Sequence, residues 1–135
     1  MKRATELSVL SALMVAGAGC AEEAPQRPAD TQLQEAVHGL CQAEALARDG
    51  DVAGARAAFL NRSHTYLHEL AADVTARDPA AVAALLEAKQ GVEAALDEST
   101  DSARLADQVA ALLETVRAAA RSAGLRDAPC GEEAA

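Results

Sequence analysis

The sequence predicts an all-α protein built as an antiparallel, up-down-up-down four-helix bundle. Three observations carry that expectation. Four successive segments repeat their apolar residues with a period near 3.6. Turns of only a few residues separate them, and short turns make neighbouring helices antiparallel. The composition favours helix over sheet: 36 of the 135 residues are alanine, the best helix former, against one Phe, one Tyr and no Trp. The length fits a single domain.

The first helix is expected from about Gln32 to Asp49. Thr31 and Gln34 have capping-box spacing, in which each side chain satisfies the other residue's free backbone N–H. Leu33, Val37, Leu40 and Ala47 form its apolar stripe, and Gly50 ends it. Asp51 caps the second helix, which continues to about Arg77. Val52, Phe59, Tyr66, Leu70 and Val74 hold one face, widened by Leu60 and Leu67. Asp78-Pro79 restarts the chain, with Asp as cap and Pro at the first helical position. The third helix runs to about Glu98, with Val82, Leu85, Leu86, Val92 and Leu96 inward. Ser99-Thr100-Asp101 forms the next turn. The fourth helix uses Leu105, Val109, Leu112, Val116 and Ala119. Gly124 is its left-handed stop, with Leu125 packing back on the last turn. Alanine lets helix axes approach closely but buries little area, so the core is thin.

The N-terminus is a separate unit. Met-Lys-Arg precedes Leu7–Gly19, a run without charge, and then Cys20. A basic start, an apolar run of about a dozen residues and small residues before a cut describe a secretory signal. The run is shorter than the about 20 residues that a spanning helix needs. Gly17-Ala18-Gly19-Cys20 resembles the lipobox of bacterial lipoproteins, with Gly17 where Leu is usual. The resemblance implies a signal peptide over 1–19, cleavage before Cys20, and lipidation of Cys20 itself. The mature chain is then exported and held by lipid at the bacterial membrane. Ala21, where Asp would signal retention, implies the outer membrane or cell surface, facing the periplasm where there are two membranes. Residues 20–30 carry two prolines and three acids and read as a flexible tether. The bundle domain takes 31–130, and 131–135 read as a disordered tail.

With Cys20 lipidated, Cys41 and Cys130 remain. In an oxidising compartment the simplest outcome is one disulfide between them. It closes a loop of about 90 residues, worth about 4–5 kcal/mol in the chain-entropy model, and compensates for the thin core. The alternative is a free Cys41 beside His38 on one helix face.

The net charge is −9 and the pI about 4.7. Removing Lys2, Arg3 and Glu6 with the signal takes the charge to −10. That excess of acid excludes nucleic-acid binding, which needs a basic face. The acids are spread along every helix, and no glycine-rich phosphate loop is present. Ser63 and His64 diverge by about 100° on a helix, so they make no nucleophile–base pair. The chain reads as a non-enzyme.

One constellation points to chemistry. His38, His64 and His68 all lie in the first helical hairpin, and His64 and His68 share a face. Counted from the Gly50-Asp51 turn, His38 and His64 stand at nearly the same height. Glu87, Gln90 and Gly91 fall opposite, and Gly39 and Gly91 mark either close helix approach or room for a ligand. His38, His64, His68 and Glu87 are therefore the candidate ligands of a transition-metal ion in the bundle. His64-Thr65-Tyr66-Leu67-His68 lacks the Glu that the zinc-protease helix carries after its first His. Two functions follow as expectations. The first is a lipid-anchored, non-enzymatic binding or scaffold module with an envelope protein as partner, using an apolar strip that includes Leu46, Leu113 or Tyr66. The second is a metal-ion carrier built on the histidine layer.

Overall fold

A computed structural model describes residues 27–98 and 101–131. The signal segment, Cys20 and the tether up to residue 26 lie outside the described residues, as do residues 99–100 and 132–135. Among the described residues the protein is all-helical, with four helices and no strand. They are α1 (Pro28–Arg48), α2 (Val52–Val74), α3 (Pro79–Glu98) and α4 (Ser102–Ser122). None is long and apolar enough to cross a membrane.

Each boundary has a local cause. α1 starts four residues before its expected start, so the last part of the expected tether is helical. Pro28 supplies a preset φ at the first position, and Asp30 places a carboxylate in the first turn. Thr31 and Gln34 therefore sit inside the helix and form no cap. α1 ends at Gly50, whose φ of +85° lets Gly50 N–H donate to Ala47 O and Asp51 N–H to Leu46 O. Asp51 then caps α2 by accepting from Gly54 N–H at 2.8 Å. Asp78 accepts from Ala81 N–H at 3.0 Å, and Asp101 from Ala103 and Arg104 N–H, so three aspartates start three helices. α4 ends as α1 does: Gly124 has φ +72°, and Leu125 N–H donates back to Ala120 O.

α2 holds the feature that periodicity missed. It is α-helical over Val52–Ala58, π-helical over Phe59–Ser63, and α-helical again over His64–Val74. The wide turn carries His64 N–H to Phe59 O. It sets Ser63, fully buried, against α1, where its Oγ donates to Ala36 O at 2.7 Å. Gly39 makes this approach feasible: a Cβ there would lie 2.5 Å from Ser63 Oγ and 2.7 Å from Arg62 Cβ. The π turn also changes the phase of the helix, so Leu67 is buried while Leu60, expected on the same face, is 44% exposed.

Gly39→Ala is therefore expected to destabilise the protein by about 1–3 kcal/mol, although alanine is the better helix former by about 1 kcal/mol. A urea midpoint at or above that of the parent protein would contradict the close packing of α1 on α2.

The core draws on all four helices. Phe59, Leu40, Leu67, Leu85 and Leu112 are among its largest fully enclosed residues, and Ala36, Ala43, Ala47, Ala106 and Ala119 are enclosed with them. α1 packs most extensively, against both α2 and α4. The helix ends are tied by polar contacts. Arg56 donates to Leu96 O at 2.5 Å, Arg77 to Ala123 O at 3.4 Å, and Ser122 Oγ to Asp78 Oδ2 at 2.7 Å. Arg27 donates to Gly124 O at 3.0 Å, so Arg27 and Arg77 both place positive charge on the C-terminal carbonyls of α4.

After α4 the chain folds back along α1. Buried Asp30 accepts from Arg126 N–H at 3.1 Å and from Arg27 Nε at 3.2 Å. Further along, Ala128 is buried and Cys130 is disulfide-bonded to Cys41, with Cα atoms 5.6 Å apart. Residues 125–131 thus form a strap, pinned at Asp30 and at Cys41. The expected pairing of the two cysteines is the one present.

Candidate functional site

The four residues expected to hold a metal ion do not form one group. His64 and His68 do come together, with ring centroids 4.9 Å apart and planes at 75°. His64 also meets Phe59 edge-on at 5.7 Å. Its Nε2 lies 2.9 Å from Glu93 Oε1 on α3. Glu87 is exposed and makes no hydrogen bond or ion pair among the described residues. His38 points elsewhere, under the strap, where its Nε2 would be 2.9 Å from a Cβ on Gly131. Among the described residues no three His, Cys, Asp or Glu side chains are placed to hold a metal ion. The shared height of His38 and His64 was readable by counting, but rotation about the axis separates them. α1 turns His38 towards the strap, and α2 turns His64 towards α3.

Glu93, whose i,i+4 spacing already pairs it with Lys89, is the residue that sequence reasoning missed as a partner of His64. His64 lies 15 residues before Pro79 and Glu93 lies 14 after it, so the count from that turn puts them level. The same carboxylate oxygen accepts from Lys89 Nζ at 2.6 Å. The Lys89 side chain is only 8% exposed and that of Glu93 35%. Burial alone would raise the Glu93 carboxyl. The hydrogen bonds from Lys89 and His64, with their charges, more than offset that and hold it below its ordinary value. The cluster joins α2 to α3 through one carboxylate oxygen, leaving His68 exposed at its rim.

Glu93→Ala leaves a buried ammonium without its partner. Solvent screens Glu93, so the expected loss is about 1–3 kcal/mol, below the roughly 3–5 of a fully buried pair. Lys89→Met removes the charge along with the need for it and is expected to change stability by less than about 1 kcal/mol. Equal losses in the two variants, measured by urea denaturation, would show that the ammonium needs no partner.

A second candidate is a groove between α1 and α2. Two clefts of about 210 and 190 Å³ share Gln32, Tyr66 and Glu69 in their walls. Thr65 and Arg62 close one end, and Arg77 and Leu125 the other. Tyr66 is half-buried and is the only aromatic residue at the described surface, since Phe59 is fully enclosed. Its phenol is pushed up to about 12, first by burial and then by the charges of Asp73, Asp30 and Glu69. It therefore stays a neutral O–H donor at any physiological pH. Glu35, Glu69 and Asp73 are exposed along the groove and make no ion pair among the described residues. The two arginines are turned to other acceptors, Arg62 to Gln42 Oε1 at 3.1 Å and Arg77 to Ala123 O. The expected apolar strip reduces to this tyrosine. Leu113 is buried, and Leu46 packs partly covered against the core.

Three carboxyls lie below their ordinary values. Asp30 is lowered first by the Arg126 N–H, and Asp78 first by the Ala81 N–H and then by Ser122. Glu93 is the third, lowered against its burial as described. A carboxyl with a depressed folded value stabilises the fold above its unfolded value and loses that contribution as pH falls through the folded one. Ordinary values are 4.5 for Glu93 and 3.8 for Asp30 and Asp78. Stability is thus expected to hold from neutrality down to about pH 4.5 and to fall steadily below it. Melting temperatures that stay level down to pH 3 would contradict these ties.

No protein-family model, curated protein or solved structure matches this chain.

Proposed function

We propose that this protein is a lipid-anchored, non-enzymatic binding module of the bacterial cell envelope, and that the Tyr66 groove is its docking surface. The observation that carries the reading is the groove itself: one half-buried tyrosine between carboxylates that make no ion pair among the described residues. Tyrosine is enriched among the residues that dominate protein interfaces. Unpaired acids around it favour a partner with a basic face, through steering and complementarity. The lipobox-like Gly17-Ala18-Gly19-Cys20 supports the anchor. The helices are read as an antiparallel up-down-up-down bundle. Arg27 at the start of α1 and Asp78 before α3 both reach the end of α4, while Arg56 near the start of α2 reaches the end of α3.

A photo-crosslinking residue at Thr65 tests the docking surface in native membranes. The expected result is one discrete adduct that is absent from the same probe at exposed Ala111, is lost in Tyr66→Ala, and weakens with salt. Equal labelling from both positions would sink the reading. For the anchor, a Cys20→Ser protein that still sediments with membranes would overturn it.

A second reading, metal-ion carriage, rests on the facing His64 and His68 rings. Calorimetric titration of the oxidised protein with Cu²⁺ or Zn²⁺ decides it. Micromolar binding that disappears in His64→Ala with His68→Ala supports it, and no binding ends it.

A further inference from the structure

The strap covers a polar stripe of α1, where a strap would ordinarily cover an apolar one. Asp30, Gln34, His38 and Cys41 follow one another at helical spacing along one face. Two of the four have partners on the strap: Asp30 holds Arg126, and Cys41 holds Cys130. His38 has none. Its Nε2 is buried without a hydrogen-bond partner among the described residues, although Gly131 lies directly against it. A buried imidazole nitrogen without a partner is costly to keep. It sits one helical turn from Cys41 and against the residue that follows Cys130.

We propose that His38, Cys41 and Cys130 form a redox-linked transition-metal site, closed in the disulfide form and available when the disulfide is reduced. In the oxidised protein each sulfur is bonded to the other, so neither is a thiolate donor. A dithiol reductant transfers two electrons and two protons to the Cys41–Cys130 bond and becomes a disulfide itself, leaving two thiols. A borderline divalent ion then displaces both thiol protons. It takes two thiolates and the His38 Nε2, with a fourth position left for water. Arg117, whose Nη2 lies 3.7 Å from Cys130 Sγ, favours the thiolate at that position. Two sulfurs on one zinc ion stand about 3.8 Å apart, against about 2 Å when bonded. The two sulfurs therefore have to move apart by about 2 Å at the exposed end of the strap. The ion replaces the sulfur–sulfur link with a sulfur–metal–sulfur link and gives the orphaned imidazole its partner. This site is separate from the Tyr66 groove and from the His64–His68 pair.

The test uses the full-length protein, reduced with a phosphine under anaerobic conditions and titrated with Co²⁺. The expected result is a tetrahedral cobalt spectrum with a thiolate charge-transfer band, saturating at one equivalent and abolished when the disulfide is re-formed. His38→Ala is expected to bind at least tenfold more weakly, and His64→Ala with His68→Ala to bind as the parent does. His38→Gln, which keeps a polar side chain under the strap, serves if His38→Ala does not fold, with the same tenfold loss expected. Circular dichroism is read alongside, with Zn²⁺ expected to raise the melting temperature of the reduced protein. A reduced protein with no tetrahedral spectrum overturns the proposal. So does equal affinity in the folded His38 variant, or a reduced chain that loses its helices and does not regain them with metal.

Discussion

Reduction of Cys41–Cys130 in the presence of a chelator is expected to lower the melting temperature by about 10–30 °C, the largest single effect available in this domain. The bond spans 89 residues and closes nearly the whole described domain into one loop. Loops of that length give about 4–5 kcal/mol in the chain-entropy model, and loss of native disulfides is typically worth about 2–5. A domain of this size shifts by about 4–8 °C per kcal/mol. The effect is large here because so much of the core is alanine, which buries little apolar area per residue. The strap adds to it: without Cys130 it is held by Asp30, by the Leu125 N–H bond to Ala120 O at its start and by the small apolar contacts of Leu125 and Ala128. Calorimetry with and without reductant, and of Cys41→Ser with Cys130→Ser, measures the shift. A change under about 3 °C would show that the loop is already closed by other contacts.

Phe59→Ala is expected to destabilise the domain by about 3–5 kcal/mol, at the upper end of the range for core truncations. Phe59 is fully enclosed and is the only large ring in the core. It opens the π turn and supports the His64 ring edge-on at 5.7 Å. The core that it belongs to is rich in alanine, which has no rotamer to swing into a void, so the cavity persists. Phe59→Leu keeps most of the volume and is expected to lose about 1 kcal/mol. Denaturant midpoints at unchanged slope separate the two. A loss below about 2 kcal/mol in Phe59→Ala would mean that the helices close over the gap.

Much of the fold was legible before the structure. Asp51, Asp78 and Asp101 start their helices, and Gly50 and Gly124 stop theirs with positive φ, because capping depends on residues within one turn. The inward stripes of α1, α3 and α4 followed from period alone. The α2 stripe failed at Leu60, because one π turn shifts the phase, and the contact with α1 that accompanies it lies outside any local window. Gly39 was the trace of that contact in the sequence, readable as close approach but not as a π turn.

The candidate sites divide along the same line. Pairings within one helix, such as His64 with His68, follow from i,i+4 spacing, and the cysteine pairing followed from count and the expected compartment. The separation of His38 from His64, the link from His64 to Glu93, the burial of Lys89 and the groove around Tyr66 did not. Spacing along a chain sets height on a helix, whereas which side chains meet depends on rotation about each axis. Rotation is set by the packing of all four helices at once, so local capping and periodicity could be read from the sequence, and the meeting of side chains across helices could not.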